Sequence, residues 1–318
     1  MTRASLGVDV GGTFTDFALW DGRQLITTKS STTTDQSQAV VEGSAGFGVE
    51  LASIVHGTTV ATNALLERRG ADLVFITDAG FTDVPEIGRQ DRPALYDSSV
   101  DRPEPLVSGP NRIGLGEDID GAVGDVAAIE PEAVAVSLLY SYRDPDREKA
   151  LGEALSARLP GAAVSLSSEV VGEFREYERA STTILNAYLA PEMSAYLQRL
   201  EDRARGAGID ADIAVMRSSG GLMSPREAGD LPAAALLSGP AGGVVAASQL
   251  GAAMGLERLI SFDMGGTSTD VCRITGGEPV VSYERAIDGY PCRMPAVAVH
   301  TVGAGGGSIG WIDSGGAL

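Results

Sequence analysis

One nine-residue motif occurs twice in the chain. Asp9-Val10-Gly11-Gly12-Thr13-Phe14-Thr15-Asp16-Phe17 is matched by Asp263-Met264-Gly265-Gly266-Thr267-Ser268-Thr269-Asp270-Val271, with the first Asp, both Gly, both Thr and the second Asp identical. A repeat this far apart marks a duplicated architecture. Each copy follows a short apolar run (Leu6-Gly7-Val8, and Leu259-Ile260-Ser261-Phe262) and leads into an alternating one (Phe14 to Trp20, and Val271 to Ile274). Each therefore reads as strand, tight turn, strand. No helix-forming run opens behind the glycines, and neither Lys-Ser/Thr nor a third spaced Gly is present, so the P-loop and dinucleotide fingerprints are excluded. Such a hairpin offers backbone N–H groups at its tip, brought close to an anion by glycine. A Thr hydroxyl adds a donor, and a strand-end carboxylate can hold Mg²⁺ through water. Two copies read as two facing phosphate clamps, one per half of the molecule.

With 318 residues, 43% of them hydrophobic, the chain has room for two cores. A formal net charge of −19 argues against nucleic-acid or anionic-membrane partners. Cys272 and Cys292 make no disulfide framework and read as small core residues. The start of the chain carries no charged-then-apolar leader, and no apolar run approaches about 18 residues; a soluble, cytoplasmic protein is expected.

Between the repeats, Lys29 to Asp35 can cap a helix from about 36 to 47. A strand at 51–55 then ends in His56-Gly57-Thr58-Thr59, a helix runs over 60–69 and a strand over 71–77. That order calls for a right-handed crossover and a partly parallel sheet. Prolines 85, 93, 103, 105 and 110 exclude a long helix from 81 to 110, leaving Glu86 to Pro93 as a polar loop, either solvated or part of a binding site. A strand at 133–140, a helix from 144 to about 159 and a strand at 163–166 follow. Two helices are expected at 173–189 and 192–205, with Arg175, Glu176, Glu178 and Arg179 on a solvated face. A strand at 212–216 precedes the small-residue run Ser238-Gly239-Pro240-Ala241-Gly242-Gly243 and a closely packing helix over 244–254. A final strand is expected at 309–312. His56 fits a structural hydrogen bond or a substrate contact, and His300 either role.

A small-residue helix feeding a strand and Asp-x-Gly-Gly-Thr resembles the interface helix and second phosphate loop of the actin, sugar kinase and heat-shock chaperone ATPase superfamily. The more specific resemblance is to the hydantoinase/oxoprolinase family, which includes N-methylhydantoinase A, 5-oxoprolinase and the acetone carboxylase β subunit. It is carried by Gly7 to Asp16, His56 to Asn63, Glu86 to Pro93, Phe174 to Arg179, Ser218 to Leu222, Ser238 to Gly243, Ser261 to Val271 and His300 to Gly307. The resemblance implies an α/β, two-lobed actin-like (ribonuclease H-like) fold with mixed sheets. Its lobes would span 1–172 and 173–318, the second incomplete because family chains continue beyond this point to an adenosine-binding motif. It also implies ATP-dependent opening of a cyclic amide through phosphorylation of the carbonyl oxygen. Asp9 and Asp263 would hold Mg²⁺ and carry catalysis. Gly11, Gly12, Thr13, Gly265, Gly266 and Thr267, with Gly239 and Gly242, would bind the nucleotide, while Asp16 and Asp270 brace their hairpins. A larger hydantoinase B-type subunit or a homo-oligomer is the implied partner. A small-molecule kinase, an acetone-carboxylase-type subunit and a truncated non-catalytic nucleotide-binding subunit stand as alternatives.

Overall fold

The computed structural model describes residues 3–11, 14–33, 35–97, 99–266, 268–312 and 314–316. The first hairpin pairs β1 (Ala4–Val10) with β2 (Phe14–Trp20), and β3 (Leu25–Ser31) extends it antiparallel. Burial alternates along β1 and β2, as a half-covered sheet requires. Helix α1 (Gln36–Ala45) starts at the expected cap, where the Asp35 carboxylate accepts from the Ser37 amide at 3.1 Å. Strand β4 (Leu51–Gly57) returns parallel to β1, and α2 (Val60–Leu66) follows directly.

A second sheet then forms, parallel throughout, in the order β6-β5-β7-β8: β5 (Leu73–Asp78), β6 (Arg112–Leu115), β7 (Ala133–Val136) and β8 (Ala163–Leu166). Strands β5 and β7 are buried and read as unbroken apolar runs. Between these strands lie the short α3 (Val84–Ile87), α4 (Ile119–Ile129), capped by Asp118, and α5 (Asp146–Arg158); α6 (Ser167–Val170) follows β8. The 133–140 strand ends at Val136, and α4 had no counterpart in the sequence reading.

The two helices expected at 173–189 and 192–205 are one, α7 (Glu176–Gly206), with Pro191 inside it. An interior proline costs about 3 kcal/mol. Past Pro191, however, the helix buries Met193, Tyr196, Leu197 and Leu200. At roughly 1.5–3 kcal/mol each, that burial outweighs the break. The charged face expected at its start also divides differently. Arg179 is fully buried, with Nε on Ser167 Oγ at 3.1 Å, Nη1 on the Glu173 carbonyl at 3.1 Å and Nη2 on the Leu138 carbonyl at 2.6 Å. The Ser167 hydroxyl in turn donates to the buried Glu148 carboxylate at 2.8 Å. Burial holds the Arg179 guanidinium below its usual pKa.

Strand β9 (Asp212–Met216) lies parallel to β4, and β10 (Leu222–Met223) completes the first sheet in the order β10-β9-β4-β1-β2-β3. Backbone pairing therefore crosses the division expected at 172/173. After α8 (Pro225–Asp230) comes α9 (Ser238–Ala253), which begins six residues before the expected 244 because the Ser-Gly-Pro-Ala-Gly-Gly run is its own first turns. The second hairpin pairs β11 (Arg258–Met264) with β12 (Thr269–Thr275). β13 (Glu278–Pro279) continues its sheet. The chain next makes an excursion through β14 (Val281–Ser282), β15 (Arg285–Ile287), β16 (Tyr290–Cys292) and β17 (Ala296–Val297), then returns to β12 as β18 (His300–Val302). Residues 309–312 form no strand; Ile309, Trp311 and Ile312 are exposed and find no pairing partner among the described residues.

Candidate functional site

The two hairpins share more than sequence. Asp9 stands opposite Asp16 and Val10 opposite Thr15; Asp263 stands opposite Asp270 and Met264 opposite Thr269. Both turns are closed by the same bond, Gly11 N–H to the Phe14 carbonyl and Gly265 N–H to the Ser268 carbonyl, each 2.9 Å. Each is also tied from behind. Thr32 Oγ1 donates to the Gly11 carbonyl at 2.9 Å, and the amides of Gly306 and Gly307 donate to the carbonyls of Gly265 and Gly266 at 2.9 Å. The glycine-rich run 303–308 is thus a backing for the second turn. Asp16 takes an ion pair from Lys29 at 2.8 Å, and Asp270 accepts from Thr301 Oγ1 at 2.6 Å, so both carboxylates fasten their hairpin to the next strand. Gly12, Thr13 and Thr267 lie outside the described residues.

Asp9, Gly239 and Gly242 meet in one cleft of about 710 Å³, with Asp16 and Lys29 on its wall. Gly11, Asp263, Gly265 and Gly266 are not among its lining residues, although the charge of Asp263 reaches Asp9. The Asp9 carboxylate is open to water yet framed on two sides. Strand β4 places Gly57 opposite it, where an added Cβ would stand 3.0 Å from Oδ1; one on Gly239, in the first turn of α9, would stand at 3.6 Å. The N-terminal amides of α9 have no intrahelical acceptors, and its dipole places partial positive charge at this end of the cleft. Glycines there leave the backbone bare to a phosphate. Substituting Gly57 with Ala should displace the Asp9 carboxylate. We expect any turnover that depends on the Asp9 carboxylate to fall by about tenfold or more while the unfolding midpoint hardly moves, measured by steady-state kinetics beside a thermal melt.

Partial burial raises the Asp9 pKa, with the charges of Asp16 and Asp263 adding to the rise and Lys29 opposing it. Carboxylates crowded in this way suit a divalent cation. Among the described residues no group of three or more His, Cys, Asp or Glu converges to ligate a metal directly. Asp9 could hold Mg²⁺, which keeps most of its water and needs one or two carboxylates besides phosphate oxygens. Lys29 and Gly57 were not picked out in advance. Lys29 is marked in the sequence only by lying two strands from the motif, and its register opposite Asp16 appears once β3 is folded on β2.

His56 takes the structural role. It is fully buried on β4, its Nε2 is 2.8 Å from the Tyr196 hydroxyl of α7, and burial lowers its pKa to about 4, the Val8 backbone offsetting part of the drop. The neutral ring is the folded form. Its contribution is complete above pH 6.5 and is lost as pH falls from 6.5 towards 4, by roughly 3 kcal/mol in all. Urea titrations across that range should show this slope, and His56→Gln should flatten it. His300, exposed on β18, pairs with Val271 of the second hairpin.

Residues 5–159 match the family description "Hydantoinase/oxoprolinase N-terminal region" and residues 179–318 match "Hydantoinase/oxoprolinase". The chain belongs to the hydantoinase/oxoprolinase family. It is 34% identical to the caprolactamase subunit alpha of Pseudomonas jessenii, over 98% of this chain and 49% of that one. It is 35% identical to 5-oxoprolinase 1 of Arabidopsis thaliana, over 79% of this chain and 22% of that one. The crystal structure of the ATP-dependent caprolactamase from Pseudomonas jessenii superposes with a TM-score of 0.87 at 30% identity, covering 98% of this chain and 49% of that one. The fold is the mixed α/β, actin-like ATPase type expected of hydantoinase/oxoprolinase chains. This member spans about half the length of the caprolactamase subunit and less of the 5-oxoprolinase. Among its described residues no helix is long and apolar enough to cross a membrane.

Proposed function

We propose that this hydantoinase/oxoprolinase chain carries the ATP-using half of a cyclic-amide ring-opening enzyme. The observation that carries the reading is the cleft itself, where a duplicated hairpin sets Asp9 against the bare first turns of α9 and within reach of the charge of Asp263. Similarity to an ATP-dependent caprolactamase and to a 5-oxoprolinase supports the choice of chemistry.

An unstrained amide is a poor electrophile. Transfer of the γ-phosphoryl group of ATP to the carbonyl oxygen turns that oxygen into a leaving group. Water then adds to the same carbon and the ring C–N bond breaks with a proton going to nitrogen, leaving an acyl phosphate that a second water hydrolyses to carboxylate and phosphate. Bound Mg²⁺ would neutralise charge on the phosphate oxygens. Asp9 and Asp263 would hold its water shell. Gly11 and Gly265, whose own amides close the turns, would let phosphates come close, Gly12, Thr13, Gly266 and Thr267 at the tips would donate to them, and Gly239 and Gly242 would let them approach the amides of α9. Lys29 would add a positive charge to the same wall.

The matched relative is named as a subunit, so a larger second subunit or a homo-oligomer is the assembly to look for. A cytoplasmic location belongs to the same reading. The test is release of ADP dependent on hydantoin, ε-caprolactam or 5-oxoproline, with the partner subunit supplied. Absence of ADP with every ring, in a preparation that binds Mg-ATP, would sink the reading. A phosphorylated hydroxyl product would point instead to a small-molecule kinase.

A further inference from the structure

The second threonine of the repeated motif takes no part in the nucleotide cleft. Thr15 and Thr269 occupy the same place in the two copies, and neither lines that cavity. Each stands opposite the last residue of the incoming strand, Val10 and Met264 respectively. Both are buried, at 0% and 4% exposure. A buried hydroxyl needs a partner, and what these two find is instructive.

Each reaches the segment that backs its own turn. Thr15 Oγ1 lies 3.1 Å from Thr32 Oγ1, and Thr32 Oγ1 donates to the Gly11 carbonyl at 2.9 Å. A carbonyl cannot donate, so the one hydroxyl proton of Thr32 is committed to Gly11 and Thr15 is the donor between the two threonines. In the second copy Thr269 Oγ1 donates to the Ala304 carbonyl at 2.5 Å. That bond fixes the start of the run whose Gly306 and Gly307 amides hold the Gly265 and Gly266 carbonyls at 2.9 Å. Ser308 closes the run on itself, its hydroxyl accepting from the Gly305 amide at 3.0 Å and its amide donating to the Gly305 carbonyl at 2.9 Å. The approach is close, since a Cβ on Gly307 would stand 3.0 Å from the Gly266 carbonyl oxygen.

A trans peptide is planar, with its C=O and N–H on opposite sides. Holding the Gly265 carbonyl towards Gly306 therefore turns the Gly266 amide away from the backing run. A donor whose direction is fixed before an anion arrives binds it more tightly than one that must first be ordered. The backing differs between the copies, a side-chain hydroxyl behind the first turn and backbone amides behind the second. The threonine that secures it is the same.

We propose that Thr15 and Thr269 are positioning residues for the two phosphate turns, acting through Thr32 and through the run from Ala304 to Ser308. This deepens the ATP-using reading and rests on it.

Calorimetry on the whole chain tests this with two probes, Mg-ATP and Mg-tripolyphosphate, the latter presenting phosphates without a nucleoside. Thr15→Val and Thr269→Val keep the shape and lose the hydroxyl. Each should weaken both probes by about five- to tenfold, and serine at the same position should restore affinity to within about twofold. Thr32 is only half-buried, so Thr32→Val carries the test even where a variant of Thr15 fails to fold. It should match Thr15→Val, and the two together should cost no more than either alone, because they interrupt one chain of hydrogen bonds. Gly307→Ala should weaken both probes, whereas Gly303→Ala, whose Cβ meets nothing within 4 Å, should not. Valine variants that bind within about twofold of the wild type, a loss that serine does not restore, or additive losses from Thr15 and Thr32 overturn the proposal. If Asp9→Asn abolishes binding while the valine variants bind normally, the ATP reading stands and this assignment falls. A wild-type chain that binds neither probe removes both.

Discussion

Asp9→Asn is expected to cut amide-dependent ADP release by about 10²- to 10³-fold or to below detection, and Asp263→Asn to do the same. An amide in place of Asp9 keeps the shape and loses the charge that would hold a divalent cation and its waters between the clamps. The Asp9 substitution carries an internal control against misfolding. Its folded pKa stands above the unfolded 3.8 because burial and the charges of Asp16 and Asp263 disfavour ionisation. The fold therefore bears a penalty that is absent below pH 3.8 and complete once pH exceeds the raised value. Removing the charge should raise the melting temperature of the nucleotide-free chain at pH 7 and leave it unchanged near pH 3.5. Activity retained within tenfold would remove Asp9 from the proposed role.

Arg179→Ala is expected to destabilise the fold by about 3–5 kcal/mol, read from the urea midpoint at constant m-value. The guanidinium joins α7 to the second sheet through the Leu138 carbonyl and through Ser167, which in turn serves the buried Glu148. Truncation takes one donor from each of the Leu138 and Glu173 carbonyls and removes the cation whose charge reaches that carboxylate. Arg179→Lys, with the charge but not the planar fork, should restore only part of the loss. A cost below 1 kcal/mol for the alanine variant would show the network to be dispensable.

Arg179 also marks where the sequence stops being readable. Beside Arg175, Glu176 and Glu178 it has the pattern of a solvated face, and what buries it are residues up to 41 positions away that no local spacing reveals. The continuity of α7 through Pro191 is a similar case, decided by apolar burial on both sides rather than by helix chemistry at the proline. The pairing of β9 with β4 across the sequence of the whole second sheet is another. The hairpins were legible because their information is local. Asp, Gly-Gly and the flanking alternation fix turn and register within nine residues, and both copies close with the same Gly-to-residue-three bond. The short elements at 51–57 and 163–166 were legible for the same reason. Of the residues lining the cleft, Asp9, Gly239 and Gly242 were named from the sequence, while Lys29 and Gly57 needed the strands laid side by side.

The two copies of the motif differ in one respect that sequence identity conceals. Strand β1, carrying Asp9, has β2 on one side and β4 on the other; β11, carrying Asp263, has β12 on one side and no pairing strand on the other among the described residues. Side chains along β11, among them Ile260, Phe262 and Met264, are exposed. One jaw is thus clamped in the interior of a sheet and the other hangs at a margin. Backbone amides pointing from β11 away from β12 should trade their protons for deuterium far faster than their counterparts in β1.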